Sequence, residues 1–216
     1  LVGSEMCIRD RAEAEVFVNT SSDPAAVPDL PENIQWVQYC FTGVNHLIEA
    51  GHIREGGVPW CNSAGAFAKP VAESALGLLL SQAHHHKAFA LAKTWDVAHE
   101  LDQSQAWLYD QQGPKRVVIV GAGGIGKQLM AYLKPFGVHI TAVNRSGRAV
   151  EGADVTLPIE RAGEVWGEAD FVVSILPATA ATEHYFDAEI FRAMKDSAVF
   201  VNVGRGSTVV TDDLVQ

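Results

Sequence analysis

The sequence predicts an α/β protein organised on a doubly wound parallel sheet. Three observations predict it. Short apolar runs rich in β-branched residues alternate with stretches of helical periodicity from residue 115 onward. Four of the five runs end in a polar or glycine-rich turn, at residues 121–126, 144–146, 176–179 and 203–206. The first of those turns, in KRVVIVGAGGIG at residues 115–126, joins a strand to a helix through G-x-G-x-x-G.

That stretch is the reference for the rest. Residues 117–120 read as a strand buried on both faces, and Ile125, Leu129, Tyr132 and Leu133 mark one side of the helix that follows. Gly121 permits the tight turn, Gly123 lets backbone approach a pyrophosphate, and Gly126 lets helix pack close on strand. The free amides at the helix start face the phosphates. A dinucleotide-binding, Rossmann-like domain is the reading.

Before it, residues 14–19, 34–38 and 58–62 read as extended segments, with a turn at 21–24, a small-residue turn at 40–44 and a short helix over 45–50 closed by Gly51. These make a partial, smaller, flavodoxin-like α/β domain. Residues 70–95 read as one long helix with Pro70 and Glu73 in its first turn and Val71, Ala75, Leu78 and Leu79 as its apolar face. Residues 96–113 read as irregular, with Trp95 and Trp107 packed on a neighbouring element. After the glycine loop come strands over 138–143, 154–157, 171–176 and 198–203, and helices over 160–168 and 187–195. The domain division expected is a non-native leader (1–11, resembling translated adapter sequence), a partial substrate domain (12–69), an interdomain or dimerisation helix (70–96), and an incomplete, C-terminally truncated nucleotide-binding domain (97–216).

Bulk properties exclude some functions. A net charge of −10 over 216 residues disfavours nucleic acid and anionic membranes as partners, and no apolar run reaches spanning length. Cys7, Cys40 and Cys61 have no metal-ligand spacing and suggest reduced thiols in the cytoplasm. His84, His85 and His86 splay about 100° apart on a helix, so they cannot converge on one ion; no metal site is expected.

Ligands of a doubly wound sheet gather beyond the strand carboxyl ends. At the second strand of the nucleotide domain, Asn144 stands where an NAD-binding protein has an acid, followed by Arg145, Ser146 and Arg148. A neutral residue with arginines suits a ribose 2′-phosphate, so NADP(H) is favoured over NAD(H); the alternative is solvated arginines that discriminate nothing. Arg205, between Gly204 and Gly206, is the candidate catalytic residue, able to grip a carboxylate in bidentate fashion and polarise an adjacent carbonyl.

The chain resembles the D-isomer-specific 2-hydroxyacid dehydrogenases in QYCFTGVNHL, CNSAGAFAKPVAESALGLLL, VGAGGIG, LPATAAT and MKDSAVFVNVGRGSTV, from about residue 14 to the end. The resemblance implies hydride transfer between a nicotinamide and a small 2-oxo or 2-hydroxy acid of the glyoxylate or hydroxypyruvate type. Arg205 matches the family's substrate-binding and catalytic arginine. Thr42, Gly43 and Val44 match the substrate-carboxylate loop, and Gly124 and Ile125 the pyrophosphate pair. Asn144 and Arg145 match the ribose site, Pro177 and Thr182 match positions lining the cofactor, and Val203 and Gly204 lie under the nicotinamide in relatives; Ser146 and Leu176 are counted with them as cofactor-binding. A homodimer of the intact parent through the long helix is implied. Relatives place a glutamate and a histidine after the GRG block. The chain ends before both, so it is expected to be an internal fragment, nearly inactive. Alternatives are a dehydrogenase-like NAD(H)-sensing module or corepressor, and a formate- or phosphonate-type dehydrogenase.

Overall fold

The computed structural model describes residues 13–215, so the expected leader lies outside the described residues. The chain forms two compact units, Leu1–Phe67 and Ala68–Gln216.

In the first unit, β1 (Val16–Asn19), β2 (Trp36–Tyr39) and β3 (Trp60–Cys61) form a parallel sheet in the order β1-β2-β3. Alternation turns Tyr39 inward, onto Leu47 of helix α1 (Asn45–Glu49) and Val27, with Val44, Ile53 and Trp60 at the margin. Val16, Val18 and Trp36 face the other way and stay exposed.

The second unit opens with α2 (Ala68–Ala83). Its buried residues are Ala72, Ala75, Leu79 and Ala83, a spacing of three, four and four that lies on one side of a 3.6-residue turn. Leu78 was expected on that face and is instead 52% exposed, one residue and about 100° off the stripe. The expected single helix to residue 95 also breaks. It stops at Ala83, His85 takes a left-handed φ of 53°, and α3 (His86–Ala92) ends where Lys93 does the same. The break is tertiary in origin. The His85 ring bonds the Ser104 carbonyl at 3.0 Å, His84 packs on Trp107 at 4.4 Å, and the Ala106 amide takes the Ala83 carbonyl. Residues 96–113, expected to be irregular, contain α4 (Ala98–Ser104), which supplies that Ser104. Trp95, expected to pack, is 86% exposed because the chain turns at Lys93.

The main sheet holds β4 (Arg116–Val120), β5 (His139–Asn144), β6 (Val155–Pro158), β7 (Phe171–Ser174) and β8 (Val199–Asn202), all parallel, in the order β6-β5-β4-β7-β8. This is the doubly wound order, with its switch point between β4 and β7. Successive β4 residues face opposite ways. Val117 and Ile119 pack with α2 and with Leu129, Met130 and Leu133 of α5 (Gly124–Leu133); Val118 and Val120 pack with Trp166, Phe186 and Val209. The helix expected over 160–168 is replaced by two 3₁₀ segments, Ile159–Glu164 and Trp166–Glu168. Gly163 and Gly167 lie inside them, and glycine costs a helix interior about 1 kcal/mol each. Helix α6 (Ala188–Ala193) is capped by the Asp187 carboxylate, and α7 (Thr211–Leu214) closes the described chain. At the amino ends of the strands, Asp170 accepts from the Arg116 amide and from Lys195 Nζ, both at 2.8 Å, tying β4, β7 and β8. No helix among the described residues is long and apolar enough to cross a membrane.

At the carboxyl ends the backbones touch. Gly121 has φ +98°, and a Cβ there would stand 2.7 Å from the Ile175 carbonyl oxygen. A Cβ on Gly204 would stand 2.4 Å from the Leu176 carbonyl oxygen. Gly123, by contrast, has an ordinary φ of −82° and nothing within 4 Å of its Cβ position. In urea unfolding, Gly121→Ala and Gly204→Ala are each expected to lose about 3 kcal/mol, and Gly123→Ala less than about 0.5 kcal/mol.

Candidate functional site

The nucleotide loop is built from the end of β4. The Gly121 amide bonds the Val143 carbonyl at 2.9 Å, which ties the loop to β5. The Gly123 amide turns back on Gly121 at 3.0 Å, and Gly126 sits close enough that a Cβ would lie 3.0 Å from the Gly121 carbonyl oxygen. Gly121 thus makes the turn, Gly123 stands in open space and Gly126 packs close on the strand end. Gly123 caps α5 without a side chain, and the amides of Gly124, Ile125 and Gly126 donate to no acceptor among the described residues. Unpaired donors at the positive end of a ten-residue helix, beside an unobstructed glycine, fit a diphosphate.

At the end of β5, Asn144 is an organiser of its loop. Its amide nitrogen donates to the Arg148 carbonyl at 2.8 Å, and its oxygen accepts from the Ser146 amide at 3.0 Å. The Ser146 hydroxyl in turn faces the Arg148 amide at 3.4 Å. Asn144 and Ser146 are therefore engaged within the loop. Arg145 and Arg148 are exposed and make no ion pair among the described residues.

At the end of β7, Leu176 is buried and presents only backbone, while Pro177 is exposed. Thr182 is the hub of that turn. Its hydroxyl bonds the Pro177 carbonyl at 2.6 Å and accepts from the Thr179 amide at 2.9 Å. At the end of β8, the Val203 amide bonds the Ser174 carbonyl at 3.0 Å, and Gly204 sits on Leu176. Arg205 follows, exposed, with Nη1 3.1 Å from the Gly204 carbonyl oxygen and no carboxylate partner among the described residues. Gly121, Ile175, Leu176 and Gly204 therefore form a continuous line of backbone contact from the nucleotide loop to Arg205. Sequence reasoning missed Asn202 and Thr208, which bond the Arg205 carbonyl. An asparagine two residues before a glycine is the turn signal that could have marked the first.

In the first unit, the Thr42 carbonyl accepts from Asn62 at 2.8 Å, and Val44 precedes α1. The amides of Thr42, Gly43 and Val44 have no acceptor among the described residues. Beside this loop lies a cavity of about 450 Å³ lined by Tyr39, Val44, Ile53, Trp60, Cys61 and Asn62. Tyr39 OH lies 3.1 Å from His46 Nε2, and burial pushes the phenol up from its usual range. In the second unit, burial pushes the His84 imidazole down, aided by His86 and His85. No group of three His, Cys, Asp or Glu residues able to hold a metal occurs among the described residues.

Comparison with known proteins bears on these turns. Residues 76–216 match the family model for the NAD binding domain of D-isomer specific 2-hydroxyacid dehydrogenases. The chain is 47% identical over 213 residues to an uncharacterized protein from the proB 3′ region of Corynebacterium melassecola, covering 99% of this chain and 68% of that one. It is 38% identical over 101 residues to human glyoxylate reductase/hydroxypyruvate reductase, covering 46% of this chain and 31% of that protein. Among solved structures, a D-isomer specific 2-hydroxyacid dehydrogenase family protein from Aeromonas salmonicida superposes with a TM-score of 0.75 at 27% identity, over 100% of this chain and 67% of that one. The NADPH-dependent glyoxylate/hydroxypyruvate reductase of Sinorhizobium meliloti, solved with NADP and sulfate, shares the fold at a TM-score of 0.69 and 22% identity, over 93% and 62%. The chain spans about two thirds or less of these relatives. With the glycine loop, the doubly wound order and the GRG turn in place, the chain belongs to the D-isomer specific 2-hydroxyacid dehydrogenases.

Proposed function

We propose that this chain supplies cofactor binding and substrate anchoring to an NADP(H)-preferring oxidoreductase acting on small 2-oxo and D-2-hydroxy acids of the glyoxylate or hydroxypyruvate type. The observation that carries it is the contact line from Gly121 through Leu176 to Gly204, which puts Arg205 on the same sheet edge as the unpaired amides of Gly124 and Ile125. A nicotinamide cofactor, when bound, supplies the hydride. The residues of the chain bind and orient. The α5 amides hold the diphosphate, Val203 and Gly204 back the nicotinamide, and Pro177 and the Thr182-braced turn flank it. Arg205 grips the carboxylate of the acid and draws electron density from the neighbouring carbonyl. In the first unit, taken by itself, the amides of Thr42, Gly43 and Val44 are a carboxylate-binding element in this reading.

Proton delivery is a different matter. Residues 121–126, 144–146, 176–179 and 203–206 contain no histidine, aspartate or glutamate. General acid–base catalysis contributes about 10² to 10⁴ in rate. This chain is therefore expected to bind cofactor and acid while turning over at least about a hundredfold more slowly than an enzyme with a general acid–base pair in place.

Two further parts of the reading rest on surface features. Cys40 and Cys61 are free thiols, as suits the cytoplasm. Leu78, Leu91, Trp95, Trp107 and Tyr109 are each more than half exposed, from α2 to just past α4. Burying that apolar surface favours a homodimer, the state sedimentation at micromolar concentration is expected to show, with Trp95→Asp monomeric.

Cofactor titration by fluorescence tests the nucleotide assignment. NADPH is expected to bind more tightly than NADH. Arg145→Ala with Arg148→Ala should weaken NADPH about tenfold or more and leave NADH within about threefold. Gly123→Ala, which keeps its stability, should weaken both cofactors alike. A clear NADH preference in the unaltered chain would overturn the NADP(H) assignment. Arg205→Ala should abolish binding of oxamate, a non-reducible mimic of a 2-oxo acid, to the NADPH-loaded chain.

A further inference from the structure

Arg205 poses a mechanical problem. It lies between two glycines, the least restrained of residues. Gly204 is fixed by its backbone contact with Leu176, but nothing stands within 4 Å of the Cβ position of Gly206. An anchoring guanidinium on so pliant a segment would be swung by every change in the peptide plane that follows it. Productive geometry requires placement to about 0.5 Å.

The structure holds that plane with three hydrogen bonds. The Arg205 carbonyl accepts from Asn202 Nδ2 at 3.0 Å, from the Thr208 amide at 3.1 Å and from Thr208 Oγ1 at 2.7 Å. Asn202 also works from the other side, its Oδ1 accepting the Gly204 amide at 3.0 Å. One asparagine side chain thus brackets Arg205, bonding the amide of the residue before it and the carbonyl of Arg205 itself. Thr208 is fully buried, and the segment around it is itself anchored. Phe186 donates to the Thr208 carbonyl at 2.9 Å, and Val210 donates to the Phe186 carbonyl at 2.9 Å. The chain of restraint runs from the second core, through Phe186, to Thr208 and then to Arg205.

We infer that Asn202 and Thr208 are positioning residues for Arg205. Their side chains bond the backbone of the turn, at the Gly204 amide and the Arg205 carbonyl, and fix it on both sides of the arginine so that its side chain leaves the strand end in one direction. The inference rests on the assignment of Arg205 as the carboxylate anchor. It predicts a split: losing these bonds weakens grip on the acid and largely spares the nucleotide, whose diphosphate and ribose contacts, at α5 and at the end of β5, do not depend on the Arg205 peptide plane.

Calorimetric titration of oxamate into the NADPH-loaded chain tests it, with NADPH affinity as the internal control. Asn202→Ala and Thr208→Val are each expected to weaken oxamate about tenfold, with NADPH affinity within about twofold. Thr208→Ser, which keeps the hydroxyl, should restore oxamate affinity to within about twofold of the unaltered chain. If Asn202→Ala does not fold, the Thr208 pair carries the test alone, because its members differ chiefly in the hydroxyl. Oxamate binding unchanged in Thr208→Val, with Arg205→Ala abolishing it, overturns the positioning role and leaves the anchor standing. Parallel loss of NADPH and oxamate affinity in Thr208→Val also overturns it, as the mark of a merely structural residue. Oxamate binding that survives Arg205→Ala, or is absent from the unaltered chain, overturns the anchor assignment and this inference with it.

Discussion

Three strand ends in backbone contact are the constraint on which the candidate site depends. A side chain on Gly121 would collide with the Ile175 carbonyl, and one on Gly204 with the Leu176 carbonyl. With glycine at both places, the turns after β4, β7 and β8 close up at the switch point of the sheet. The same closeness gives the nucleotide loop and Arg205 a common edge. The chemistry proposed for the chain follows from where two missing side chains let the backbone go.

Much of this was legible in the sequence because it is local. The run at residues 117–120 could only be a strand buried on both faces, and glycine spacing after it has few physical meanings. The five strands of the main sheet fall within one or two residues of their expected places, except that β7 ends at Ser174 where the apolar run continues to Leu176. What sequence could not show was set by distant partners. His85 adopts a left-handed conformation because its ring reaches a carbonyl on α4, and no helical periodicity encodes that contact. Likewise Gly163 and Gly167 tip a helical pattern into 3₁₀ turns, a cost outweighed only if packing had demanded a full helix.

At the site, residue types were legible and their division of labour was not. Asn144 and Ser146 looked like contacts to the ribose, and the structure finds their polar atoms engaged in shaping the loop. Thr182 looked like a lining residue and is the brace of its turn. Asn202 and Thr208 carried no functional signal at all, since a buried threonine and a turn asparagine are common anywhere. In each case the sequence names candidate groups, and only the folded chain tells which of them keep their polar atoms free.

The double engagement of Asn144 carries a consequence for how such a protein changes its diet of reductant. A carboxylate at that position could still accept the Ser146 amide but could no longer donate to the Arg148 carbonyl. The replacement that would attract a ribose hydroxyl is thus the same one that unlatches the strap carrying both arginines. Under the proposed assignment, coenzyme choice and loop shape are one trait, and a switch of coenzyme would have to rebuild the strap along with the charge.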